Sequence, residues 1–264
     1  VEYPLTNVDK KQHFVDLCWD GLRDRLLHDN PEYGRRLEYE LGVIEQKDFI
    51  DYFLIVYDMA KWAREKGISV GPGRGSSAGS LVCYVLRITD VDPLRWGLLF
   101  ERFIDINRTD LPDIDIDFQH DRRDEVKGHL ESLYGKDKVA GLATFMRFKS
   151  KMCVQDISRV FGIPFDVSDT IKRHIVERSS GDSRAGYALS DALRNFEQLR
   201  SYMIEYPQLK MADDLVDRIR GMGKHAAGMV LTNEPLTKFT ALYYDRVSGQ
   251  SIAGVEHDDA LQLG

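Results

Sequence analysis

A mixed α/β domain in two chain segments, 1–145 and 222–264, interrupted by a helical insertion over 146–221, follows from three patterns in this 264-residue chain. Up to Phe145, helical periodicity is interleaved with short stretches of β-type alternation. From there to about Gly221 the periodic stretches are nearly all helical. Alternation returns from Gly223 onward.

The elements follow in order. Residues 8–29 place Phe14, Leu17, Cys18, Leu22 and Leu26 at three- and four-residue steps, which predicts a helix. A second helix covers about Tyr33 to Gln46. A third, DYFLIVYDMAKWAREKG, is expected to start on Asp51 as N-cap and to end at Gly67 as the C′ residue. ISV then reads as a short strand, GPGRGSSAGS as a glycine-rich turn, and AGSLVCYVLRIT as a helix packed on both sides. DLPDIDIDF reads as a strand by strict alternation. RRDEVKGHLESLYG is an amphipathic helix closed by Gly135, and KVAGLATF a strand. Inside the insertion, loops are expected at FGIPF, SSGDSRAG and EYPQ; after it, HAAGMVLT, TALYYDR and QSIAGVEH read as strands.

Composition is that of a water-soluble globular chain, 43% hydrophobic and 30% charged, and its apolar runs are too short to cross a bilayer. No signal-peptide pattern opens it. Cys18, Cys83 and Cys153 are far apart and form no CxxC pair, which argues for a reducing compartment and for core packing rather than a zinc site. A net charge of −7 does not mark a nucleic-acid binder, so local segregation of charge carries more weight. The start on Val and the stop at DDALQLG suggest a piece of a longer polypeptide.

The acidic run is the first candidate for chemistry. In a strand, Asp113, Asp115 and Asp117 share one face at steps of about 7 Å, and Ile114, Ile116 and Phe118 share the other. Like charges on one face destabilise a sheet unless something positive offsets them. Divalent ions would do so, because carboxylates are hard ligands suited to Mg²⁺ or Mn²⁺. A plain solvated acidic face is the competing reading. A calcium loop is excluded, since Phe118 stands where that loop needs glycine and Asp124 where it needs glutamate.

VGPGRGSSAGS, Val70 to Ser80, is the second candidate. Its glycines let backbone amides approach a ligand, a following helix N-terminus favours anions, and Arg74 adds a donor fork for phosphate. Ser76 and Ser77 add hydroxyls. The stretch is not a Walker A loop, and a tight turn into a close-packed helix is the alternative. Together, a phosphate cradle and a carboxylate pair are what nucleotidyl transfer needs. Arg102 and Arg122–Arg123 lie near the acidic run in sequence; ordinary surface arginines are their other reading. RFKSKMCVQDISR sets Arg147, Lys149, Lys151 and Arg159 against one acid, Asp156. That is a local basic patch suited to phosphate contacts or, alternatively, a solvated helix face.

VGPGRGSSAGSLVCYVLRITDVDPLRWGLLFERF, LPDIDIDF and GKHAAGMVL, in that order, resemble the palm of the bacterial DNA polymerase III alpha subunits, the C family. LEYELGVIEQKDFIDYFLIV is similar to the segment preceding the glycine loop in that family, and the resemblance runs from about residue 10 to the C-terminus. It implies a polymerase β-like nucleotidyltransferase palm with a mixed sheet over 1–145 and 222–264, and a helical thumb over 146–221 that grips primer–template duplex. It implies catalytic roles for Asp113 and Asp115 as ligands of two Mg²⁺ ions, with Mn²⁺ as an alternative, and none for Asp117. Gly75 and Ser76 would cradle the incoming dNTP with Arg74, Arg102 and Arg123, and Lys224 and His225 would contact nucleotide or DNA backbone. Arg147, Lys149, Lys151 and Arg159 would contact DNA. A third catalytic aspartate, in a KxDxLG-like strand, lies in that family shortly after the position of Gly264, and residues 223–264 hold no such motif. The expected activity is template-directed DNA polymerisation in the cytoplasm, impaired in this piece alone, with a sliding clamp and other replisome subunits as partners of the parent protein and no membrane. A non-catalytic duplex-binding module and a nucleotidyltransferase acting on a protein or small molecule are the alternatives.

Overall fold

The computed structural model describes residues 1–5, 8–107, 112–175, 189, 192, 195–246, 249–256 and 259–260. It is a mixed α/β structure with one four-stranded sheet among the described residues. The chain divides into two compact units, Val1–Ala140 with Met229–Leu242, and Gly141–Gly228 with Tyr243–Gly264.

The first unit is built on helices. α1, Lys10–Asp24, starts on Asp9, whose carboxylate accepts from the Lys11 and Gln12 amides. α2, Pro31–Gln46, starts on Asn30, which accepts from the Glu32 amide, with Pro31 in the first helical position. α3 spans Ile50–Glu65, α4 Leu81–Val85 and α5 Arg123–Tyr134. Phe14 and Leu22 of α1, Leu37 and Ile44 of α2, Phe53 of α3 and Leu81 of α4 are among the residues that bury each other in one core, closed by Phe100. Ala63, Ile68 and Val126 form a smaller cluster that packs Val70 and Phe118.

Several expected boundaries moved. α1 stops at Asp24 rather than near residue 29, because Leu26 takes φ +57 and the Arg25 guanidinium reaches across to the Tyr84 carbonyl at 2.8 Å. Asp51 is not the cap of α3: Phe49 is, without a side-chain bond, while the Asp51 carboxylate accepts from the Tyr3 amide (2.8 Å) and Lys10 Nζ (3.0 Å). Gly67 does adopt the left-handed φ of +66 expected after a helix. The helix read over 78–89 shrinks to Leu81–Val85, since Gly75–Gly79 forms a 3₁₀ turn and Arg87 takes φ +57. The acidic run forms no ladder; its only β-type pairing among the described residues is the antiparallel bridge Val70–Phe118.

The second unit carries α6, Ser150–Phe161, α7, Phe165–His174, α8, Glu197–Glu205, and α9, Lys210–Leu215. Cys153, Ile157, Ile171, Leu199, Leu209 and Ala212 are among the residues of its core. FGIPF is a turn, with Gly162 left-handed at φ +67; SSGDSRAG lies outside the described residues. The strands are β1, Val139–Arg147, β2, Ile219–Leu231, β3, Leu242–Asp245, and β4, Gln250–Ala253. They form the sheet in the order β2-β1-β4-β3, with β1 and β4 parallel and Gly141 opposite Ile252. β1 is buried continuously from Val139 to Ala143, the pattern of a strand covered on both faces. β2 begins four residues before Gly223, since Gly221 and Gly223 do not break it. All three cysteines are buried and outside any disulfide, and burial raises the Cys18 and Cys83 thiols.

Candidate active site

The first unit brings the glycine turn and the acidic run together. Beside the Val70–Phe118 bridge, the Gly71 amide donates to the Asp117 carbonyl at 2.8 Å and the Gln119 amide to the Ser69 carbonyl at 3.0 Å. These bonds set the entry to the turn against the exit of the run. Arg74 Nη2 then donates to Asp115 Oδ1 at 3.2 Å, across 41 positions of sequence, and Arg74 Nε lies 3.5 Å from Asp117 Oδ2. A methyl group at Gly75, where φ is +68, would sit 3.4 Å from Asp115 Oδ2.

The acidic run keeps its alternation without its ladder. Ile114 and Ile116 pack on the main core and Phe118 on the smaller cluster, while Asp113 and Asp117 are exposed and Asp115 is partly buried. Tyr52 of α3 lies beside the middle of the run, where the Ile114 backbone N–H favours its phenolate. Burial, together with the charges of Asp113 and Asp115, pushes its phenol up to about 12.

The turn is held at its far end by α2. Glu40, fully buried, accepts from Ser80 Oγ (2.8 Å), the Leu81 amide (2.9 Å), the Val82 amide (3.0 Å) and Arg36 Nε (2.6 Å). Arg36 Nη2 also donates to the carbonyls of Gly79 (2.9 Å) and Leu98 (3.3 Å). Burial raises the Glu40 carboxyl, while the Val82 and Leu81 amides and Arg36 favour its anion. Ser80 Oγ accepts from the Cys83 amide at 3.2 Å. The first amides of α4 are therefore occupied by the protein itself, so the helix N-terminus expected to attract an anion is already satisfied. The Gly75–Gly79 turn has no side-chain cap among the described residues, and Gly75 and Ser76 are exposed. Neither Glu40 nor Tyr52 was singled out from sequence. The available signal for Glu40 was a charged residue on the apolar stripe of α2, beside Leu37, Leu41 and Ile44.

Arg102 is exposed at the end of a 3₁₀ turn, Phe100–Arg102, whose preceding Leu99 carbonyl lies against Gly79. Arg123 opens α5. Its neighbour Arg122 grips Glu125 at 2.7 and 2.8 Å and donates to the Lys66 and Gly67 carbonyls, tying α5 to the end of α3. In the second unit Lys224 and His225 lie on β2, Lys224 bonding Gln250 and His225 Nδ1 accepting from the Gly228 amide at 2.6 Å. Arg147 ends β1 and donates to the Asp217 carbonyl at 3.1 Å; Lys149 and Lys151 follow at the start of α6, and Arg159 pairs with Asp156 at 3.2 Å.

Asp113, exposed, and Asp115, partly buried, carry the hard oxygen donors that Mg²⁺ or Mn²⁺ prefers, and that donor chemistry fits a shell completed by water and phosphate oxygens. Among the described residues no three His, Cys, Asp or Glu side chains converge as a metal cage. No described helix is long and apolar enough to cross a membrane.

Residues 12–264 match the family model described as the bacterial DNA polymerase III alpha NTPase domain. The chain belongs to that family. It is 44% identical over 234 residues to a DNA polymerase III subunit alpha of Bacillus subtilis, covering 87% of this chain and 20% of that protein. It is 35% identical over 277 residues to the subunit of the same name in Escherichia coli K12, covering 100% of this chain and 23% of that protein. The chain thus spans about a fifth of the length of these relatives.

Proposed function

We propose that this chain carries the nucleotidyl-transfer centre of a replicative DNA polymerase, joining dNMP to a primer 3′-OH under template direction. The observation supporting it most is the direct bond between the glycine turn and the acidic run, Arg74 to Asp115. In this reading residues 1–145 and 222–264 form a polymerase β-like palm and 146–221 a thumb. Asp113 and Asp115 would hold two Mg²⁺ or Mn²⁺ ions, which when bound supply Lewis acidity at the primer hydroxyl and the departing pyrophosphate. The backbone amides of Gly75 and Ser76, both exposed residues, would seat the triphosphate. Arg74, with its side chain 61% exposed, keeps donors for phosphate beyond the one given to Asp115. Arg102, Arg123, Lys224 and His225 add contacts to nucleotide or DNA backbone. Arg147, Lys149, Lys151 and Arg159 track the duplex phosphates. A cytoplasmic setting, a sliding clamp and other replisome subunits belong to the same proposal for the whole protein.

Asp113→Asn or Asp115→Asn in the full-length polymerase is expected to lower primer extension at least about 10³-fold, the worth of several kcal/mol of charge stabilisation. Normal turnover in either variant would refute the assignment. A non-catalytic duplex-binding role is the second reading, favoured by the basic residues Arg147, Lys149 and Lys151 gathered where β1 gives way to α6. Primer extension by the full-length protein separates the two, since a pure binder holds DNA without extending it.

A further inference from the structure

The most heavily bonded side chain near the glycine turn is not in it. Glu40 and Arg36 lie one helical turn apart on α2, and both reach the far end of that turn. Glu40 takes four donors, from Ser80, Leu81, Val82 and Arg36. Arg36 takes the carbonyls of Gly79 and Leu98. The near end is held differently, by Arg74 on Asp115 and by Ser77 Oγ donating to the Arg74 carbonyl at 3.0 Å. Gly75 and Ser76 sit between these two anchors and are exposed.

We propose that Glu40 and Arg36 are positioning residues for nucleotide binding: by anchoring Gly79, Ser80, Leu81 and Val82, the pair fixes the pitch of the Gly75–Ser76 backbone against Asp115. The inference rests on the transfer-site reading above and adds residues that touch neither nucleotide nor the reacting atoms. A buried carboxylate with four donors has one low-energy position, so the peptide groups it holds have one as well. Releasing it leaves buried amides of α4 unpaired and lets the turn rotate.

The test uses the full-length polymerase with primer–template DNA and each dNTP. Glu40→Gln keeps the shape, but its amide NH₂ cannot accept where a carboxylate oxygen did. It is expected to raise KM for dNTP about tenfold, the effect of losing one charge-assisted hydrogen bond on a positioned backbone. Primer–template Kd and kcat should each stay within about threefold, because neither depends on this turn alone. Arg36→Lys keeps the charge and loses the fork to Gly79 and Leu98; it is expected to raise the same KM about three- to tenfold. Where Glu40→Gln does not fold, Arg36→Lys decides. Unchanged dNTP KM in the folded variants, or a parallel loss of DNA affinity, kcat and melting temperature, would overturn the inference in favour of a merely structural pair. Asp115→Asn is run beside them. An inactive Asp115→Asn with unchanged KM in the pair sinks only the positioning role, whereas an active Asp115→Asn sinks the transfer-site reading itself.

Discussion

Gly73→Ala separates two costs that the structure places on one residue. Gly73 has φ +99, and a methyl group there would lie 2.6 Å from Thr89 Cγ2 and 2.8 Å from Thr89 Cβ. The positive φ alone costs an L-residue about 1–2 kcal/mol. Overpacking against a residue that is fully buried adds about 1–3 kcal/mol. Thr89 has little room to retreat, because the next residue is tied back to the turn by the Asp90 amide on the Pro72 carbonyl at 2.8 Å. The sum is about 2–5 kcal/mol. Urea unfolding of the chain should show it as a lower midpoint. Thr89→Ser removes the nearer clashing carbon and leaves the φ term, so the double variant should recover about 1–2 kcal/mol relative to additivity. A Gly73→Ala cost below about 0.5 kcal/mol, or strict additivity with Thr89→Ser, would refute the close approach.

Two further outcomes are expected. The Tyr52 phenol is raised from 10.0 to about 12, so between those values the unfolded chain sheds a proton that the folded chain keeps, and stability falls as pH rises above 10. Tyr52→Phe should flatten that alkaline decline in thermal unfolding scans, and identical slopes would contradict the buried phenol. In filter binding of duplex DNA across a salt series by the full-length protein, replacing Lys149 or Lys151 with Ala should reduce the slope of log K against log salt by about 0.9 for each phosphate that is no longer neutralised. An unchanged slope would remove that residue from the DNA surface.

The helices of the first unit were legible because their signals are local. Phe14, Cys18 and Leu22 recur on one face of α1, and Asn30 with Pro31 marks the start of α2. The acidic run shows where such reading stops. Alternation told which side of the run faces the core, and Ile114 and Ile116 do face it. It did not tell whether a neighbouring strand exists, because facing and pairing are separate choices, and the run finds a single bridge among the described residues. Asp51 fails in a similar way: its type suits a cap, but the Tyr3 amide and Lys10 compete for the same carboxylate.

The amino-acid sequence by itself determined the long helices α1 to α3, the glycine-rich turn, the core-facing side of the acidic run and the family, since each is written in neighbouring residues. Only the tertiary structure decided that Arg74 meets Asp115, that Tyr52 lies beside Ile114, and that Glu40 fills the start of α4. Each of those contacts joins residues distant in sequence, and their partners are selected by how α2 and α3 pack, which no periodicity within one segment encodes.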